Sequence, residues 1–143
     1  MRDVDLVLDT DVVVAAMRSP GGASAALMFA AAERRASLVM SVPLAIEYES
    51  VCSLPEHRLA AGLSEDEVRV FLDGIVAIAR PTETHFLWRP RLRDPADEMV
   101  LEAAVNGRAD AIVTFNRRDF GDVPAKFGVA IWSPSEALSR IRR

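Results

Sequence analysis

Short unbroken apolar runs alternate along the chain with stretches whose apolar residues recur at helical spacing. Leu6-Val7-Leu8 is the first run, typical of a strand buried on both faces. Asp9-Thr10-Asp11 closes it, and a helix is predicted from Val12 with Asp11 as its cap. Ser19-Pro20-Gly21-Gly22 breaks that helix, and an Ala-rich helix follows from about Ala23 to Arg35, packing Leu27, Met28 and Phe29. Ser37 to Ser41 reads as the second strand. A helix beginning near Pro43 carries Leu44, Tyr48, Val51 and Cys52 on one stripe, which puts Glu47 on the inward side and Glu49 on the outward side.

The second half has clearer punctuation. Leu54-Pro55 and Ala61-Gly62 bracket a short helix. Ser64 with Glu67 forms a capping box that opens a helix reaching Gly74 or Ile78. A third strand is predicted at Ala77-Ile78-Ala79, ending before Pro81, and Phe86 and Trp88 are expected to pack in the segment after it. Asp94 suits an N-cap and Pro95 the first helical position, where a missing N–H does no harm. Val100, Leu101 and Ala104 form that helix's apolar stripe, and Gly107 is its expected C′ stop. Ala111 to Thr114 is a short strand, Phe127 to Trp132 the last one, and Ser133-Pro134 starts a final helix. Strands alternating with helices predict a parallel sheet covered on both faces, an α/β fold. Its strand-to-helix turns then lie on one edge. That edge is where ligands bind in such folds.

The totals narrow the picture. The 143 residues suit one domain able to bury about two-thirds of its unfolded surface. The formal net charge of -4 argues against a generic basic coat for nucleic acid. It leaves a nuclease open, because bound divalent cations offset acids and draw phosphate. Of the 17 basic residues only Lys126 is a lysine, a pattern that suits phosphate recognition but points more to a genome-wide compositional bias. The single cysteine, Cys52, has no partner for an internal disulfide and reads as a core thiol. With no signal peptide and no run of about 18 apolar residues, a cytoplasmic protein free of the membrane is expected.

The chemistry-bearing residues converge on the edge just described. Asp9 ends the first strand, Asp119 follows the strand ending at Thr114, and Glu47 and Asp97 lie in the opening turns of helices that start there. Thr10, with a hydroxyl for either a local N–H or a metal-bound water, and Asp94, Thr114 and Asn116 stand beside them. Two unit charges of one sign 4 Å apart repel by about 4 kcal/mol at an effective dielectric of 20. Hard oxygen ligands gathered in this way suit Mg²⁺ or Mn²⁺. Such ions hold phosphate and lower the pKa of a bound water. His57 and His85 have no Ser, Cys or second His at a useful spacing, so triad and zinc readings fail.

Four segments, in order, carry a resemblance: Leu8 to Val13, Ile46-Glu47-Tyr48, Asp97 to Ala104, and Val113-Thr114-Phe115-Asn116-Arg117-Arg118-Asp119-Phe120. Together they resemble the PIN-domain ribonucleases, in particular the VapC-like toxins of bacterial toxin–antitoxin pairs. The resemblance implies a three-layer α/β/α fold with a central parallel sheet over residues 1–143, and Mg²⁺- or Mn²⁺-dependent endoribonuclease activity. It assigns the metal-holding acids to Asp9, Glu47 and Asp97, with Asp119 as the fourth. It also implies an RNA substrate, a small antitoxin and a homodimer. Two positions depart from the pattern: Asn116 stands where many PIN domains have Asp, and Asp11 where the family more often has Asn.

Two rival readings remain at this level. Leu8-Asp9-Thr10-Asp11-Val12 is also the strand and D-x-D of a haloacid-dehalogenase-type phosphatase. That chemistry wants a downstream lysine and a cap domain, and the chain offers only Lys126. The second rival is a PIN-like module that binds RNA or protein and no longer cuts, a reading that Asn116 keeps open.

Overall fold

The computed structural model describes residues 3–83 and 91–141. In chain order the elements are β1 (Val4–Leu8), α1 (Thr10–Arg18), α2 (Ala23–Ala32), β2 (Ala36–Met40), α3 (Val42–Cys52), α4 (Pro55–Ala61) and α5 (Glu65–Ile78). They continue as β3 (Ala79–Pro81), α6 (Pro95–Asn106), β4 (Ala111–Val113), α7 (Arg117–Phe120), α8 (Val123–Lys126), β5 (Ala130–Trp132) and α9 (Pro134–Arg140). The five strands form one sheet in the order β3-β2-β1-β4-β5, every pair parallel. Helices cover both faces, giving the three-layer α/β/α architecture that the alternation of elements predicts. Phe86 and Trp88 lie outside the described residues.

β1 is central, and Leu6, Val7 and Leu8 are at most 2 % exposed, as a doubly covered strand requires. Leu8 aligns with Val113 of β4, so the two strands that lead to Asp9 and Thr114 end level with each other. Tyr48 is buried on α3 and its hydroxyl donates to the Leu8 carbonyl, which pins α3 to the end of β1. An apolar groove of about 580 Å³ runs between α1, α2 and α5, lined in part by Met17, Met28, Phe29, Val70 and Ile75. No single described helix is long and apolar enough to cross a membrane.

Four local readings are corrected. α1 begins at Thr10, not Val12, because Asp9 rather than Asp11 is its N-cap. β3 begins at Ala79 rather than Ala77, because α5 continues through Ile78, and it includes Pro81; it is an edge strand, where a missing N–H is tolerated. β5 is shorter than predicted, because Gly128 takes a positive φ of 74° and Val129 N–H bonds back to the Pro124 carbonyl. Gly107 keeps a right-handed backbone, and Arg108 takes the positive φ of 54° instead. Glycine is required at 107 for closeness: a Cβ there would lie 2.4 Å from Val39 Cγ1 and 2.8 Å from the Ala103 carbonyl.

Candidate active site

The carboxyl edge of the sheet is built from β1 and β4 outward. Asp9 follows β1 directly and is 7 % exposed. Its Oδ1 accepts from Thr10 N–H at 2.8 Å, the cap bond that starts α1. Its Oδ2 accepts from the Thr114 hydroxyl at 2.7 Å. Thr114 is fully buried, and the same Oγ1 accepts from Asn116 N–H at 2.9 Å. One threonine therefore orients the carboxylate and shapes the turn after β4.

Asp11 is drawn into this arrangement from α1. Its Oδ2 accepts from Phe115 N–H at 3.1 Å and from the Asn116 side-chain amide at 2.9 Å. Its Oδ1 is buried without a partner among the described residues, as is the Thr10 hydroxyl. The sequence pattern makes Asp11 a helix cap; the structure gives it this role instead. The only sequence signal was its two-residue spacing from Asp9, and its partners lie 104 and 105 positions downstream.

Asp94 caps α6 through Ala96 N–H at 2.8 Å, with Pro95 next, as the sequence predicts. Asp97, on the first turn of α6, is 9 % exposed. Asp119 is exposed on α7, a short helix anchored by the buried Phe120. Asp94, Asp97 and Asp119 line one cleft of about 720 Å³ together with Arg93 and Arg118. The neighbouring arginine behaves differently, since Arg117 pairs with Glu136 at the start of α9. Glu47 is half-buried on α3, less deeply than its helical register suggests. It is not among the charges that act most strongly on Asp9 or Asp97.

The electrostatics are those of acids held together without counter-charge. Burial raises the Asp97 carboxyl to about 7, with further pushes from Asp9, Asp94, Asp119 and Asp11. Burial, then Asp9, raises Asp11 to about 6. Asp9 is also raised, chiefly by burial; its bonds from Thr114 and Thr10 N–H pull the other way. No Arg, Lys or His pairs with Asp9, Asp11 or Asp97 among the described residues. Raised carboxyls of this kind cluster at functional sites.

The donor chemistry fits a hard divalent cation: carboxylates of like charge, with a buried carboxylate oxygen and a buried hydroxyl lacking partners. Among the described residues no three carboxylate, imidazole or thiol groups already stand close enough to grip an ion.

Fold and site first define a class: an α/β/α protein with an acidic cleft at the carboxyl edge of a parallel sheet. The sequence model of the PIN domain matches residues 5–118, and the chain belongs to the PIN domain family, whose members are nucleases. No curated protein gives a significant match. Among solved structures, the chain is similar to VapBC2 from Rickettsia felis, a crystal structure with a DNA fragment from their promoter bound. That similarity has a TM-score of 0.66 at 14 % identity and covers 91 % of this chain and 98 % of that one, a likeness of fold. Family membership leaves the phosphatase reading without support.

Proposed function

We propose that the chain, as a single PIN domain, is a Mg²⁺- or Mn²⁺-dependent endoribonuclease and the toxin of a toxin–antitoxin pair. The observation that carries this reading is that the buried Asp97 lies with Asp94 and Asp119 along one open cleft, with no paired cation on Asp97 among the described residues. Asp9, Glu47 and Asp97 would hold the ion, with Asp119 completing the set. When bound, the ion neutralises phosphate charge and lowers the pKa of a bound water for in-line attack.

The chain's own residues supply the rest. Thr114 and Thr10 N–H fix the Asp9 carboxylate from two sides, so its remaining lone pairs have one orientation. Asp11 and Asn116 hold the turn that carries Asp119. Arg118 and Arg93, on the cleft wall, are placed for the non-bridging oxygens of an RNA backbone. The likeness to VapBC2 supports an antitoxin partner, and a homodimer in the cytoplasm is the form the same branch suggests. A non-cutting RNA- or protein-binding module is the second reading, favoured by Asn116, whose amide is already committed to Asp11.

The test is titration calorimetry of Mn²⁺ into wild type and Asp9→Asn, followed by cleavage of single-stranded RNA on the same samples. Saturable binding and Mn²⁺-dependent cleavage, both lost in the variant, are expected. Retained cleavage in Asp9→Asn would sink the site assignment. Binding without cleavage would move the non-cutting module ahead.

A further inference from the structure

We propose that Phe115 is a stacking platform for a nucleobase of single-stranded RNA beside the Asp9 and Asp11 carboxylates. The proposal rests on the nuclease reading only for where the phosphate lies. Among the described residues three phenylalanines stand out as exposed: Phe29 at 64 %, Phe115 at 56 % and Phe127 at 37 %. Phe29 lines the apolar groove between α1, α2 and α5. Phe127 lies beneath the Arg91 guanidinium, 5.9 Å from the ring centroid. Phe115 belongs to neither setting. It follows Thr114 directly, so its Cα is about 3.8 Å from that of the residue holding Asp9.

The backbone under this ring is fixed from both sides. Phe115 N–H donates to Asp11 Oδ2 at 3.1 Å, and Asn116 N–H donates to Thr114 Oγ1 at 2.9 Å. Both acceptors belong to the network around Asp9. An aromatic side chain on a turn this constrained is held next to the site while remaining open to solvent.

The charge balance supplies the need for such a ring. With a formal net charge of -4 and with Asp94, Asp97 and Asp119 lining the cleft, Coulomb attraction for a polyanion is weak at this site. Arg93 and Arg118 can hold one or two phosphates. Further affinity has to come from a term that charge does not set. Single-stranded RNA offers that term, because its unstacked bases lie down on aromatic faces. A duplex keeps its bases stacked on one another and offers none. Every base has a π-face, so the platform favours single strands while reading sequence weakly.

The test is fluorescence anisotropy of a labelled mixed-sequence oligoribonucleotide with wild type, Phe115→Leu and Phe115→Trp, in EDTA so that no cleavage intervenes. Leucine keeps the apolar bulk and removes the aromatic face. Phe115→Leu should bind about 5- to 150-fold more weakly, the range for one stacked base. Phe115→Trp should bind at least as tightly as wild type. An oligomer of the same length built of abasic residues should bind all three alike. Equal affinity of Phe115→Leu and wild type, equal loss on the abasic oligomer, a Trp variant as weak as the Leu variant, or no binding by wild type would each overturn the proposal. Mn²⁺-dependent cleavage by wild type, followed in parallel, separates the two claims. Cleavage with no effect of Phe115→Leu sinks only the platform, and aromatic-dependent binding without cleavage sinks only the nuclease.

Discussion

The two edges of the sheet treat their acids in opposite ways. At the amino end, Asp110 accepts from Asp5 N–H at 2.8 Å, and Asp110 N–H returns a bond to the Asp5 carbonyl at 2.7 Å. The Asp5 carboxylate pairs with Arg80 at 3.4 Å, and Arg80 also donates to the Gly107 carbonyl at 2.9 Å. Each negative charge there meets a cation or a backbone donor and ties β1 to its neighbours. At the carboxyl end, Asp9, Asp11 and Asp97 have no cation among the described residues, and burial with repulsion between the acids raises all three. One set of aspartates stabilises the fold. The other works against it, a repulsion that protonation or a bound cation would relieve.

The comparison can be broken most sharply at Asp9. Mn²⁺ at about one hundred times its dissociation constant should stabilise wild type by about 2.7 kcal/mol. For a domain of this size that is roughly a 5–10 °C rise in Tm. Asp9→Asn should show no such rise by calorimetry; an equal rise in the variant would mean the ion binds elsewhere. Thr114→Val keeps the shape and removes the hydroxyl that orients Asp9. It should weaken Mn²⁺ binding about 10- to 100-fold, the usual effect of deleting a partner behind a metal ligand. Unchanged affinity would show that Thr114 serves only the strand end.

The amino end predicts the converse. Asp110→Ala should lower stability by about 1–2 kcal/mol in urea unfolding, since it leaves the Asp5 N–H without its acceptor. Its Mn²⁺ affinity should match wild type. A separate effect is in pH. Unfolded, Asp97 loses its proton near the ordinary 3.8; folded, it keeps it to about 7. In EDTA, stability should therefore fall as pH rises from about 4 to 7 and level off above, because the unfolded state gives up that proton first. Asp9, Asp94, Asp119 and Asp11 all face this group and push the same way. Asp97→Asn should flatten the slope, and a profile unchanged by the substitution would place the titrating group elsewhere.

What was legible in the sequence was whatever is encoded within a few residues. The buried run Leu6 to Leu8, the Ser64/Glu67 capping box and the Asp94-Pro95 start of α6 are all local signals, and each is found where the pattern puts it. The start of α1 was misread because Asp9 and Asp11 are equally good caps by residue type. Only the level ends of β1 and β4 decide between them, by bringing Phe115 and Asn116 to Asp11. The gathering of Asp9, Asp97 and Asp119 followed from topology, since a parallel sheet sends its turns to one edge. The depth of Glu47 did not follow, because a helical stripe fixes direction and not the distance to a neighbour. Arg117 and Arg118 were indistinguishable as neighbours, and only the approach of α9 with Glu136 separates them.

Gly107 carries a consequence for how variation in this chain would be read. It lies ten residues after Asp97, which along α6 is about 15 Å from the acids. Yet any side chain there would strike Val39 and push the helix off β2. In a saturation screen scored on toxicity or RNA cutting, Gly107 would appear as intolerant as the acids themselves. A map drawn from activity alone would thus extend the active site to the far end of α6. Scoring the same library for abundance would shrink it back, because the Gly107 variants would disappear from the soluble fraction and the Asp9 variants would not.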